Sequence, residues 1–184
     1  RDFIFRNFRN EYSLPFYLQR IDTGIIGTDL VDGQNWNWID YDNDGDLDAF
    51  LTNYSTNVLN RLYRCEGPHY YVKITAAQVG TIVSDPGAYL ANLWTDFDND
   101  GDLDLVINCM NSKALVLKNN SIASNLPHKK NSLTISFKGD SLNNFGIGTK
   151  AYLFNKGKMQ YQQLMLTRGF QSSVDTRLHF GLDS

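Results

Sequence analysis

The chain carries only two cysteines and three histidines in 184 residues. His69, His128 and His179 lie far apart, in a turn after Pro68, a polar linker and a strand. No Ser/His/Asp or Cys/His set is legible in the spacing, so catalysis by such a set is not expected. Asp22-Thr23-Gly24 matches an aspartic-protease triplet, but it occurs once, where that chemistry needs two carboxylates. Cys65 and Cys109 both fall at strand ends; a disulfide is open, although two free buried thiols fit isolated cysteines better. No apolar run approaches ~18 residues, so no membrane-spanning helix is expected. No basic stripe with interleaved aromatics is present, which argues against nucleic acid. The chain starts Arg1-Asp2, with neither Met nor a signal peptide, as expected of a processed product or a fragment.

What the chain does have is one stretch written twice. Trp38-Ile-Asp40-Tyr-Asp42-Asn-Asp44-Gly45-Asp46-Leu-Asp48 returns 56 residues later as Trp94-Thr-Asp96-Phe-Asp98-Asn-Asp100-Gly101-Asp102-Leu-Asp104. Each copy sets five aspartates in nine residues around one glycine. Together they hold ten of the twenty acidic residues. Without those ten charges the net −3 becomes +7, so the rest of the chain is basic. Such a loop repels itself. Two like charges ~4 Å apart cost about 1 kcal/mol in water and ~4 near a protein surface. Several such pairs are a large fraction of a domain's ~5–15 kcal/mol stability. The loop either stays splayed in water as a solvated acidic turn, or a cation holds it.

The spacing favours the cation. Aspartates at positions 1, 3 and 5 turn alternate side chains inward, and glycine at 6 permits a sharp turn. The expected ligands are Asp40, Asp42, Asp44, the carbonyl of Asp46, and Asp48. The second set is Asp96, Asp98, Asp100, the carbonyl of Asp102, and Asp104. This is not an EF-hand: Leu51 and Ile107 stand where the bidentate Glu of position 12 would be. The following runs, Leu47–Thr52 and Leu103–Asn108, are short and apolar and predict buried strands. Calcium is expected over magnesium because one segment supplies nearly all the ligands. Two such ions would take the net charge from −3 to +1.

A second element recurs. Phe3–Asn7, Arg61–Cys65 and Leu115–Asn119 resemble one another at intervals of 58 and 54 residues. Short strand candidates follow at Pro15–Ile21 and Tyr70–Thr75. Glycine-containing loops come next, at Asp22–Gly27 and Gly80–Gly87. About four strands per period is the arithmetic of a propeller blade, and no helical periodicity of useful length is apparent.

The two periods resemble FG-GAP / VCBS repeats, the calcium-loop blades of integrin α-subunit propellers, over about residues 1–120. The resemblance rests on the Trp-x-Asp-x-Asp-Asn-Asp-Gly-Asp-Leu-Asp string. It implies an extracellular or cell-surface protein and one Ca²⁺ per loop. Tyr89–Trp94 replaces the usual glycine-rich entry to the second loop. Residues 121–130 are expected to be a linker. Residues 131–184 resemble the ASPIC and UnbV domain through Leu133–Gly139, Asn143, Gly146-Ile-Gly148, Arg168–Ser172 and Leu178–Leu182. Thr149 departs from the usual alanine, no tryptophan precedes the first strand, and the family pattern continues beyond Phe-Gly-Leu.

The expected fold is all-β: a partial β-propeller of about two four-stranded blades and the end of another, then a small β-rich domain. Such a chain alone would be an incomplete propeller with exposed blade faces. Two functions follow from the resemblance. One is a non-enzymatic calcium-binding scaffold for adhesion or ligand binding, with a protein or glycan ligand and further propeller blades of the same full-length protein as partners. The other is an accessory, non-catalytic part of a larger secreted polysaccharide-acting enzyme. Asn53 and Asn119 head glycosylation sequons, which matter only in a eukaryotic secretory pathway.

Overall fold

The structure is a computed structural model that describes residues 4–8, 17–29, 31–110, 112–121 and 130–183. It is all-β. The first two strands, β1 (Ile4–Asn7) and β2 (Leu18–Ile21), pair antiparallel. Phe3, Pro15 and Phe16, which the sequence placed in these strands, lie outside the described residues.

The first acidic period forms one antiparallel sheet in simple chain order. It comprises β3 (Gly33–Ile39), β4 (Asp48–Asn53), β5 (Arg61–Cys65) and β6 (Tyr71–Lys73). The second period repeats it with β7 (Tyr89–Thr95), β8 (Asp104–Cys109) and β9 (Leu115–Leu117). Three strands of this sheet are seen among the described residues, one fewer than the four expected. The linker that would precede a further element, 122–129, is outside them, as is His128.

Strand β4 explains why the periods stack. All six of its residues are buried, so both faces need cover. Ala49, Phe50 and Leu51 are fully buried. Phe50 meets Trp94 of β7 edge-on at 5.4 Å between ring centroids. Around this contact Tyr41, Leu62, Ile74, Tyr89, Leu105 and Ile107 close one core between the two sheets. Polar bridges pin the sheets as well: Asn37 donates to Asn92, and Thr52 Oγ1 donates to the Leu90 carbonyl at 2.9 Å.

Short helical turns occupy the loops expected to be irregular: α1 (Gly24–Thr28), α2 (Ala76–Val79) and a 3₁₀ turn (Gly80–Val83). A single turn buries no stripe and leaves no 3.6-residue periodicity to read. After α1, Asp29 accepts from Arg61, Tyr63 and Lys73 and ties the turn to the sheet. Cys65 and Cys109 are free thiols, the first buried.

The C-terminal segment makes two strand pairs. One is β10 (Asn131–Ser136) with β13 (Arg177–Asp183); the other is the hairpin β11 (Lys150–Asn155) and β12 (Lys158–Gln163). Lys156 and Gly157 both have positive φ, 49° and 77°, as a two-residue hairpin turn requires. Strand β12 stops at Gln163, and the next residue, Leu164, packs into a small core with Leu178 and Phe180. A cleft of about 410 Å³ separates this segment from the repeats, with Trp38, Tyr161 and Arg177 on its walls.

Replacing Phe50 by Ala is expected to remove about 3–5 kcal/mol of stability through transfer and cavity terms. The same change at Phe154, which is 74% exposed, is expected to stay within about 0.5 kcal/mol. Urea denaturation of both variants checks the contrast.

Candidate functional site

Each acidic loop joins two paired strands. The first is closed by Ile39 opposite Asp48, the second by Thr95 opposite Asp104. The backbone turns identically in both. Asn43 and Asn99 have φ of 60° and 61°, and Gly45 and Gly101 have 86° and 97°. Asparagine and glycine are the residues that tolerate this left-handed region.

The hydrogen bonds repeat too. Asp40 Oδ2 accepts from the Gly45 amide at 2.9 Å, and Asp96 Oδ2 from Gly101 at 3.1 Å. Asp44 Oδ1 accepts from the Asp46 amide, and Asp100 Oδ1 from Asp102. Asp48 spans the loop, taking the Tyr41 amide at 3.2 Å and the Cys65 amide at 2.8 Å. Asp104 does the same with Phe97 at 3.1 Å and Asn119 at 2.8 Å. Backbone amides thus hold the carboxylates in place.

Held this way, three carboxylates converge in each loop. Ligand oxygens of Asp40, Asp42 and Asp48 lie within 4.8 Å of one another, as do those of Asp96, Asp98 and Asp104. Asp44 and Asp100, expected at position 5, stand outside these triads, each capping the amide two residues on. Asp46 and Asp102 are also outside them; Asp102 is fully buried and accepts from Ser121 Oγ at 3.2 Å. The two triads fit a hard cation that takes oxygen ligands. Asp96 Oδ1 supports the fit: it is buried with no hydrogen-bond partner among the described residues. An unpaired buried charge is costly unless an ion meets it.

Two lysines supply counter-charge. Lys130 Nζ lies 3.1 Å from Asp42 Oδ1 and 3.9 Å from Asp44 Oδ2. Lys118 Nζ pairs with Asp98 and lies 3.0 Å from Asp100 Oδ2. Neither was singled out by spacing, because each reaches its loop from a distant segment.

The first loop is the more enclosed. Asp40 and Asp48 are buried, whereas Phe97, Asp98, Asn99 and Asp100 face solvent. Burial and then the Asp44 charge raise Asp40 to about 7. Burial raises Asp48 to about 9 against its two amides, with Asp42 and Asp44 adding to the rise. Burial also raises Asp42, and Asp46 to about 6. In the second loop burial raises Asp104. At Asp100 burial pulls the same way, but Lys118 and the Asp102 amide hold it below the usual range.

What encloses the first loop is the C-terminal segment. A Cβ at Gly181 would lie 2.1 Å from Asp40 Oδ2, so only glycine lets β13 come this close. A Cβ at Gly45 would lie 2.9 Å from Gln160 Nε2. At the second loop, Arg177 donates to the Asp96 carbonyl at 3.0 Å and Ser132 Oγ to the Gly101 carbonyl at 2.7 Å.

These shifts fix a pH dependence for the cation-free protein. The folded state binds the Asp48 and Asp40 protons more tightly than the unfolded chain, whose carboxyls titrate near 3.8. Their stabilisation is complete below ~4 and is lost as pH rises toward about 9. Chelator-treated protein is therefore expected to lose this stabilisation between about pH 4 and about pH 9, read as a falling urea midpoint. A flat or rising midpoint would contradict this.

Comparison with known families agrees with the geometry. Residues 40–107, which contain both loops, match the FG-GAP-like repeat. Residues 139–184 match ASPIC and UnbV. No curated protein matches the chain. The chain is thus similar to a β-propeller-like FG-GAP repeat followed by an ASPIC and UnbV segment.

Proposed function

We propose that the two loops bind one Ca²⁺ each, and that the chain is a non-enzymatic, calcium-stabilised part of a secreted or cell-surface protein, acting as an adhesion or ligand-binding scaffold. The observation that carries this reading is the convergence of three carboxylates in both loops on one shared pattern of amide hydrogen bonds. A solvated acidic turn has no reason to bury Asp40, Asp48, Asp96 and Asp104. A divalent ion answers the strain that burial creates. It lowers the proton affinity of the raised carboxyls and takes the place of the Lys118 and Lys130 ammonium groups. Calcium suits this set better than magnesium, which keeps several waters and demands near-ideal octahedral geometry.

Integrin-like blades give the scaffold reading its direction: propeller loops present a surface to a protein or glycan, and further blades of the same protein complete the stack. No helix among the described residues is long and apolar enough to cross a membrane.

Calorimetric titration of chelator-treated protein is expected to find two calcium sites with Kd of about 10⁻⁴–10⁻³ M. Asp42→Asn is the informative variant, because no backbone amide among the described residues donates to its carboxylate and the loop keeps its other bonds. It is expected to weaken one site at least ~10-fold, about 1.4 kcal/mol, and to leave the other able to bind. Absence of binding at millimolar calcium would refute the reading.

A further inference from the structure

Asn43 does more than the loop turn requires. It occupies the fourth position of the first loop, between two expected ligands, and it is fully buried. Its Nδ2 donates to the Gly101 carbonyl of the second loop at 2.9 Å. That leaves Oδ1 to accept from His179 Nε2 of β13 at 2.7 Å, which fixes the proton on Nε2. Its carbonyl accepts from the Asp183 amide, also of β13, at 2.9 Å. One residue therefore touches the first loop, the second loop and the C-terminal strand.

The counterpart in the second loop is a natural control. Asn99 has the same backbone conformation, yet it is exposed, and among the described residues its side chain meets only Arg177 Nη1, at 3.3 Å. The left-handed turn alone thus does not call for the bonds at Asn43. A second bridge joins the loops independently. Asn119 Nδ2 donates to the Tyr41 carbonyl at 2.8 Å and to the Leu103 carbonyl at 3.1 Å, while its amide serves Asp104.

We propose that Asn43 is a positioning residue that couples the two acidic loops to each other and to β13, so that a cation in one loop strengthens binding in the other and fixes the strand. This rests on the cation reading of the loops. The physical reason is that Asn43 binds backbone and side-chain groups that are not cation ligands. The Gly101 carbonyl, the Asn43 carbonyl and His179 keep their bonds when an ion enters. An ion that orders the first loop therefore orders the group that holds Gly101, and the second loop then has less freedom to lose on binding. By reciprocity, β13 docks more firmly on filled loops than on empty ones.

The test is a calcium titration of the full chain by calorimetry, paired with hydrogen exchange of the Arg177–Asp183 amides with and without calcium. In the unaltered protein the second ion is expected to bind about 5-fold or more tightly than the first, and calcium is expected to slow exchange across β13. Asn43→Gly keeps the left-handed backbone and removes both amide bonds. It is expected to leave two sites that fill independently and to reduce the protection that calcium confers on β13. Asn99→Gly is expected to retain both effects. A merely structural role for Asn43 would weaken both sites and leave their cooperativity intact, which overturns the proposal. Two independent sites in the unaltered protein overturn the coupling while the cation reading stands, and this result needs no variant to fold. Absence of any calcium binding overturns the cation reading and the coupling with it.

Discussion

Mutual repulsion among buried carboxylates is the constraint on which this structure depends. Five aspartates in nine residues would push a loop open in water. Here they are held together by backbone amides that recur in both copies. Gly45 and Gly101 serve the first aspartate, and Asp46 and Asp102 serve the third. The fifth is clamped by an amide within the loop and another from outside it, at the end of β5 in the first copy and just after β9 in the second. These bonds fix geometry without removing charge. What remains is a pair of sites whose carboxyls are raised where they are most enclosed, and whose nearest counter-charges are lysine ammonium groups.

The same loops are also a meeting place. The strand Arg177–Asp183 lies across the first loop so closely that Gly181 admits no side chain, and Arg177 and Ser132 reach the backbone of the second. The Arg177 and Ser132 contacts use carbonyls that are not expected cation ligands, whereas Gly181 lies against Asp40 itself. Arg177 and Ser132 therefore do not compete with an ion for carboxylate oxygens, whereas Lys130, just before β10, does. The enclosure explains why two loops of nearly one sequence differ in their electrostatics: the first is shielded from water and several of its carboxyls rise, while residues 97–100 of the second face solvent and Lys118 lies at hand.

The acidic loops, their flanking strands and the two family resemblances were legible because each depends on short-range pattern. Alternating aspartates around a glycine predict a turn of inward-facing oxygens, and the apolar runs after them predict β4 and β8. The convergence of Asp40, Asp42 and Asp48 without Asp44 was not legible, since spacing alone does not say which carboxylate caps a neighbouring amide. Asn43 stands between two expected ligands and recurs as Asn99, a pattern that explains only the turn. Its buried role depends on His179, 136 residues away in the chain, and no local pattern carries that. The helical turns at Gly24–Thr28 and Ala76–Val83 were missed because a single turn has too few residues to display a period.

A crystal structure of the protein grown with calcium, with anomalous density to identify the ion, tests the account most directly. The account predicts one ion in each loop, about 2.3–2.6 Å from carboxylate oxygens of Asp40, Asp42 and Asp48 in the first and of Asp96, Asp98 and Asp104 in the second. Lys118 and Lys130 would have moved off those carboxylates. Ordered loops with no ion at saturating calcium, and both lysines still seated on the aspartates, would contradict it.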